Sequence, residues 1–144
     1  MSKGFRISTT GFKSLEKRLD KMSKEAVEEV SNVVDNHIFA INKEQITLTR
    51  VDTGYLKRSN DFDVKDKKYK EIFNNANYAA FIEFGTGRGA KNIPAELKQY
   101  ASQFQTGDPS KNGIPASPFF FAPFFKRRQQ ILRDIVKVLQ KFGK

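Results

Sequence analysis

The sequence of 144 residues contains no cysteine and a single histidine. Without cysteine the chain has no disulfide bond, no thiolate metal ligand and no thiol nucleophile, and this composition is typical of a protein made in a reducing cytoplasm. The one histidine, His37, has no histidine or cysteine partner, so a metal site would need carboxylate ligands alone. We therefore interpret His37 as a residue on a helix face rather than as a metal ligand.

Long hydrophobic runs are also absent. No apolar stretch approaches the ~18 residues that a membrane span needs, and the opening segment Met1–Ile7 lacks the apolar core of a secretory signal. The mean hydropathy of −0.58 predicts a polar surface and no membrane partner. At this length we expect a single domain over residues 1–144 with a core of its own.

The sequence shows no catalytic constellation of the Ser-His-Asp or Cys-His kind. The glycine-rich segment Gly85–Gly89 lacks both the third-glycine spacing of a dinucleotide site and the Gly-Lys-Ser/Thr ending of a P-loop. Asp61 and Asp63 flank Phe62 on a predicted strand and would share one of its faces. We favour the interpretation that this face is solvated over the alternative that the two carboxylates form an acid–base pair. We therefore predict no enzymatic activity, no catalytic or metal-binding residue and no cofactor.

Glu83 is the carboxylate in the most unusual setting, because it lies between Ile82 and Phe84 in an apolar stretch. Burial of a charged group is costly unless the group is paired or hydrogen-bonded. We predict that Glu83 forms a structural salt bridge or accepts a backbone hydrogen bond. The minor alternative is a hydrolase or metal site assembled in space from Asp52, Asp61 and Glu83.

Positive charge is concentrated at the carboxyl end. The net charge is +10, and Lys126–Lys144 carries seven cations against the one anion Asp134, so this segment alone contributes +6. Such a basic stretch is either a solvated helix face or a contact with a polyanion such as DNA. The candidate contacts with a partner or with DNA are Arg88, Lys126, Arg127, Arg128, Arg133 and Lys137.

Hydrophobic spacing predicts three helices. A helix from Lys24 to about Thr49, ~39 Å long, carries a narrow stripe at near-heptad spacing, and part of it is expected to contact something beyond its own core. The stripe consists of Val27, Val30, Val34, Ile38, Ile41 and Leu48. A shorter helix is predicted over Gly11–Met22, after a strand over Phe5–Ser8, and a last amphipathic helix from Ala122 or Pro123 to Phe142.

Between the long helices the pattern changes. Phe62 and Val64 alternate with charges before a polar turn and a second alternating run over Tyr69–Phe73, which predicts a β-hairpin. Residues 78–84 fit a short helix or a buried strand equally well. Residues of about 86–113 read as a long loop, functional or mobile, in which Pro94 opens a short helix through Phe104.

Five of the fourteen phenylalanines lie in the proline-bracketed run Ile114–Phe125. Burial of five phenylalanines is worth about 10 kcal/mol, comparable with the whole stability of a domain, about 5–15 kcal/mol. The run is therefore a core element, a subunit contact or both. Because each proline lacks an N–H and restricts φ, we predict an extended anchor that leads the chain into its last helix.

Three segments in order resemble a known family: Val51–Ser59, Asn77–Thr86 and Ile114–Phe119 with its terminal helix. Together with the opening Gly11-Phe12, they are similar to the small tail-component proteins of long-tailed bacteriophages, in the tail-completion or head–tail joining group. Only the stretch Arg88–Asn112 departs from the pattern of this family. The residues to which the resemblance gives an architectural role are Asp52, Thr53, Gly54, Tyr55, Leu56, Tyr78, Glu83, Phe84, Gly85, Thr86, Pro115, Pro118 and Phe119.

The resemblance implies an α+β fold: a small antiparallel sheet packed against a long helix and a C-terminal helix, with a long loop between the sheet and the last helix. It also implies a structural protein of the virion neck or tail, assembled in the host bacterial cytoplasm. The implied form is a ring, a hexamer from tail symmetry, that completes the tail and contacts head-closure or connector proteins, tail-tube proteins and, transiently, DNA. The alternative is a basic nucleic-acid-binding protein that acts through the C-terminal helix.

Overall fold

Two long helices and a small sheet make up the frame of the protein. The computed structural model describes residues 6–8, 24–51, 54–89, 94–105, 107–108 and 110–142. The helix predicted over Gly11–Met22 lies outside these residues. In chain order the elements are β1 (Arg6–Ser8), α1 (Lys24–Leu48), α2 (Tyr55–Arg58), β2 (Asn60–Asp63), β3 (Glu71–Asn74), α3 (Ala79–Phe84), a 3-10 turn (Gly87–Gly89), α4 (Ala95–Ala101) and α5 (Phe121–Phe142).

The predicted α+β class is confirmed, and so are the first strand, the long helix, the hairpin and the last helix, with bounds that differ by a few residues. The segment that periodicity left open is the helix α3. It ends at Gly85, whose φ of 77° is in the left-handed region that glycine adopts most readily.

The sheet has the strand order β1-β3-β2, with both pairs antiparallel. Phe62 is directly opposite Ile72 and packs on Phe39 of α1, with ring centroids 5.2 Å apart. Successive side chains of a strand point to opposite faces. Asp61 and Asp63 therefore project from the face of β2 that is turned away from α1, and both are exposed, as a solvated face requires.

Helices α1 and α5 pack along much of their length. A small cluster around Val30 and Ile135 joins them, and Val34, Ile131, Val138 and Leu139 pack against that cluster. The predicted stripe on α1 needs one correction: Leu48 is exposed, whereas Gln45, three residues earlier, is fully buried. Gln45 lies in the seven-residue gap between Ile41 and Leu48, where the predicted stripe has no apolar residue. Its Nε2 donates a hydrogen bond to the carbonyl oxygen of Phe120 at 2.9 Å.

The main core contains the phenylalanine run. Phe119 and Phe120 are fully buried and Phe121 is nearly so, while Phe124 and Phe125 are partly buried against the same cluster. The run is therefore a core element. The chain reaches it without regular secondary structure over residues 112–119, as the predicted extended anchor requires.

Two buried polar arrangements escaped the sequence analysis. Lys70 is only 2% exposed, and its Nζ is 2.7 Å from Oδ1 of Asp35 on α1. In the other, Asn60 donates to the Thr49 hydroxyl at 2.8 Å and accepts from Asn74 at 3.0 Å. The first ties the start of β3 to α1, and the second ties β2 to the residue that follows α1. Each gives buried polar groups the partners without which their burial would be costly.

Candidate functional site

Glu83 holds the start of α5 to α3. Its Oε2 accepts hydrogen bonds from the backbone N–H groups of Phe119 at 2.7 Å and Phe120 at 3.0 Å, and its Oε1 accepts from Phe121 at 3.3 Å. These donors lie at the amino end of α5, where N–H groups have no partner within the helix and a negative charge is favoured. The predicted backbone hydrogen bonding of Glu83 is thus what the structure contains, with three donors.

The electrostatics of Glu83 reflect two opposing effects. Burial raises the pKa of the Glu83 carboxyl above its ordinary value of 4.5, and the three N–H donors lower it, with burial the larger effect. Both carboxylate oxygens are occupied by backbone groups. The arrangement holds two chain segments together and leaves no oxygen aimed at a substrate.

Of the three segments that carry the family resemblance (the resemblance segments), the second, Asn77–Thr86, and the third, Ile114–Phe119, pair along their backbones. Thr86 and Ile114 exchange two hydrogen bonds: the Thr86 N–H donates to the Ile114 carbonyl at 2.9 Å, and the Ile114 N–H donates to the Thr86 hydroxyl at 2.9 Å. Further along, the Ala116 N–H donates to the Gly89 carbonyl and the Ser117 N–H to the Ile82 carbonyl. Segments some 30 residues apart in the sequence thus form one paired unit that leads into the buried Phe119.

Glycines permit this close pairing. A Cβ on Gly85 would meet the carbonyl oxygen of Gly89, a Cβ on Gly89 would meet that of Ile114, and one on Gly113 would meet that of Thr86. These neighbours are backbone atoms that have no rotamer by which to move aside. The absence of side chains at these three positions is therefore a requirement of the contact.

Gly85→Ala is expected to reduce the free energy of unfolding by more than ~2 kcal/mol, because a backbone with φ 77° and ψ 170° costs a residue other than glycine about 1–3 kcal/mol and the clash with the Gly89 carbonyl adds to it. Chemical denaturation measures the change. Gly54→Ala is the control for a positive φ: Gly54 has φ 81° and ψ −10°, in the left-handed α region, and the new Cβ would meet only the end of the flexible Arg58 side chain. An equal loss in both variants would contradict the role of the close pairing.

The first resemblance segment joins the second through two aromatic rings. Asp52 and Thr53 lie outside the described residues. Leu56 is buried, and its carbonyl accepts from the Asn74 side chain at 3.0 Å. The rings of Tyr55 and Tyr78, both exposed, are 6.2 Å apart.

The remaining motif residues divide between surface and core. Pro115 and Pro118 are exposed. Phe84 is fully buried and its ring packs near those of Tyr100, Phe104 and Phe121. The motif residues at the junction between α3 and α5 are thus Glu83, Phe84, Gly85, Thr86 and Phe119.

Part of the long loop packs on this junction. The side chain of Gln105 donates to the Phe84 carbonyl at 3.3 Å. Glu96 on α4 accepts two hydrogen bonds from the guanidinium of Arg128, at 2.7 and 3.2 Å, and the hydrogen bond with Arg128 lowers the pKa of the Glu96 carboxyl. No pattern in the sequence indicates this link between α4 and α5.

The candidate partner or DNA contacts divide into two groups. Lys126 pairs with Glu44 at 3.1 Å and Arg128 pairs with Glu96, while Arg127 is partly buried. Arg133 and Lys137 are exposed, and no carboxylate of the described residues lies within ion-pair distance of either. The side chain of Arg88 lies outside the described part of the structure.

His37 sits in the α1–α5 interface. It is buried, and its Nε2 lies 2.7 Å from Oδ2 of Asp134, whose pKa is lowered chiefly by this hydrogen bond. Within the described ranges no group of three or more His, Cys, Asp and Glu residues is placed to hold a metal ion. Nor does any helix among them have the length and apolar character needed to cross a membrane.

A family model described as "Bacteriophage HK97-gp10, putative tail-component" matches residues 12–85, just over half of the chain. The chain therefore belongs to this family of phage tail components. No curated protein and no solved structure matches it. The matched range includes the first resemblance segment and nearly all of the second, whereas Thr86, the third segment and α5 lie beyond it. Membership in this family indicates a structural component of the phage tail, located in the virion, and gives no indication of an enzymatic activity.

Proposed function

We propose that this protein assembles into a ring at the junction of tail and neck, completes the tail and joins it to the head. The observation that carries this proposal is the outer face of α5. Leu132 and Val136, one turn apart, are 41% and 47% exposed, and they lie beside the face of the same helix that packs on α1. A helix with a second apolar row, held in place at its amino end by Glu83, is suited to bind another protein.

The proposed ring is a hexamer, because tails of this kind have sixfold symmetry and a ring needs two different patches that meet head to tail. The proposed partners are other copies of this chain, the tail-tube protein and the head-closure or connector proteins. Assembly before virion completion would take place in the host cytoplasm, since a chain without cysteine needs no oxidising compartment for disulfide formation.

Nucleic-acid binding through α5 is the second candidate, since the segment after the phenylalanine run is strongly basic. The ion pairs weigh against it. Lys126, Arg128 and Lys141 each have a carboxylate partner, Glu44, Glu96 and Glu29 respectively. Arg133 and Lys137 are then the exposed cations of the outer face, which favours a brief and weak contact with passing DNA over tight binding.

The mass of the purified protein in solution tests the ring, measured alone and after mixing with tail-tube and head-closure proteins. We expect a discrete oligomer in at least one condition, with sixfold symmetry in electron-microscopy projections. A strictly monomeric protein that joins neither partner would contradict the proposal. A DNA affinity that falls with salt as steeply as six or more phosphate contacts require, with a log–log slope near −5, would favour the second candidate.

A further inference from the structure

The outer face of α5 has two parallel rows. Leu132 and Val136 form the apolar row, and Arg133 and Lys137 form the cationic row beside it. Residues four apart on a helix are separated by about 6 Å along its axis. The cationic row therefore presents two positive charges at this spacing, next to two aliphatic side chains.

The outer face of β2 carries the opposite charge at a similar spacing. Asp61 and Asp63 are both exposed and project away from α1, since Phe62 between them packs on Phe39. Residues two apart on a strand are separated by about 6.6 Å. Oδ1 of Asp61 accepts a hydrogen bond from the backbone N–H of Phe62 at 2.8 Å, and Oδ1 of Asp63 accepts one from that of Lys65 at 3.0 Å.

We propose that the outer face of α5 of one subunit lies across the outer face of β2 of a second copy, with Arg133 and Lys137 facing Asp61 and Asp63. This inference rests on the proposed ring and names its subunit contact. The two surfaces carry opposite charges at similar spacings. The strand β2 is also an edge of its sheet, which leaves room for a neighbour beside it.

The contact has to form between copies rather than within one. Phe62 faces α1, so the two aspartates point away from α1. Ile135 also faces α1, and Arg133 and Lys137 are each two positions from it on the helix, so the cationic row points away from α1 as well. A pairing of α5 with α5 of another copy would bring like charges together, which is unfavourable. The α5–β2 contact joins two different surfaces, so each subunit still has one free surface for the next, as a closed ring requires.

Charge reversal tests the contact under the condition in which the wild type assembles. Arg133→Glu/Lys137→Glu and, separately, Asp61→Lys/Asp63→Lys are each expected to reduce the assembled fraction at least tenfold in native mass measurements. A chain that carries all four changes, or a mixture of the two variants, is expected to restore it. Lys98→Glu/Lys111→Glu changes the net charge equally at exposed positions outside both surfaces and is expected to have no effect.

Each outcome decides a different point. Rings that persist in Arg133→Glu/Lys137→Glu would overturn this contact and leave the proposed function standing. Loss of rings without rescue in the mixture would overturn β2 as the counterpart of α5. A wild type that never assembles, even with tail partners, would overturn the ring and this contact together.

Cross-linking provides a second measurement that does not depend on reversed charges. Because the chain has no cysteine, Val136→Cys and Asp61→Cys each introduce one thiol. Oxidation of a mixture of the two variants is expected to give a cross-linked pair, whereas each variant alone is expected to give none. Cross-linking of Val136→Cys with itself would overturn the contact in favour of an α5–α5 pairing.

Discussion

Replacement of Phe120 by alanine is expected to reduce the free energy of unfolding by about 3–5 kcal/mol, the usual cost of truncating a buried phenylalanine. Phe120 is fully buried, and the centroid of its ring is 6.2 Å from that of Phe119 and 5.1 Å from that of Phe121. Its carbonyl also accepts from the buried Gln45 side chain, so a shift of the backbone would disturb that contact as well. Urea denaturation followed by far-ultraviolet circular dichroism measures the loss.

Phe39→Ala is the matched control for Phe120→Ala. The chemical change is the same, but Phe39 is 46% exposed, so the expected loss is less than half as large. A domain is only stable by about 5–15 kcal/mol, so the expected loss in the Phe120 variant is a large share of its total stability. A Phe120 variant that folds with wild-type stability and only fails to assemble would show that the phenylalanine run is an interface instead.

The second large effect is expected at Glu83. Glu83→Ala removes the acceptor of three backbone N–H groups at the start of α5. We expect a loss of about 2–4 kcal/mol, because unsatisfied buried donors cost about 1–3 kcal/mol each and the relief of burying a charge offsets part of this. Glu83→Gln keeps one oxygen, which can still accept hydrogen bonds from the N–H groups of Phe119 and Phe120. The expected loss of unfolding free energy in this variant is therefore about half as large.

The pH dependence of Glu83 has a definite sign. Burial raises the pKa of Glu83 in the folded protein above 4.5, so folding favours the protonated form. The contribution to stability from this shift is complete below pH 4.5 and is lost as pH rises through the folded pKa. The stability difference between wild type and Glu83→Gln, measured by urea titration across this range, should therefore favour the wild type most at low pH. A difference that grows with rising pH would contradict a raised pKa.

The sequence was a good guide wherever a pattern is local. The periodicity of α1 and α5 and the alternation around Phe62 depend on side chains a few residues apart, and the predicted elements are present. The pattern was misleading at Leu48, because a periodicity defined only by apolar residues passes over a polar one. Gln45 lies on the buried side of α1 and has the Phe120 carbonyl as its partner, 75 residues away.

The candidate site was predictable only in outline. The apolar neighbours of Glu83 indicated a buried carboxylate, but not the identity of its donors, which lie 36 to 38 residues further along the chain. The basic segment indicated a charged helix face, but not that Lys126 and Arg128 would pair with Glu44 and Glu96. What remains exposed on α5 depends on these distant partners.

The sequence by itself determined the α+β class, the two long helices, the membership of a phage tail-component family and the need to bury the phenylalanine run. Local periodicity, composition and ordered motifs suffice for each of these. Only the tertiary structure decided that residues 79–84 form a helix, that Glu83 holds the start of α5 and that glycine-lined segments pair between Thr86 and Ile114. The physical reason for the first is that periodicity over so few residues fits a helix and a buried strand equally well. The other two features join groups some 30 residues apart, and no local pattern specifies which distant group will meet them.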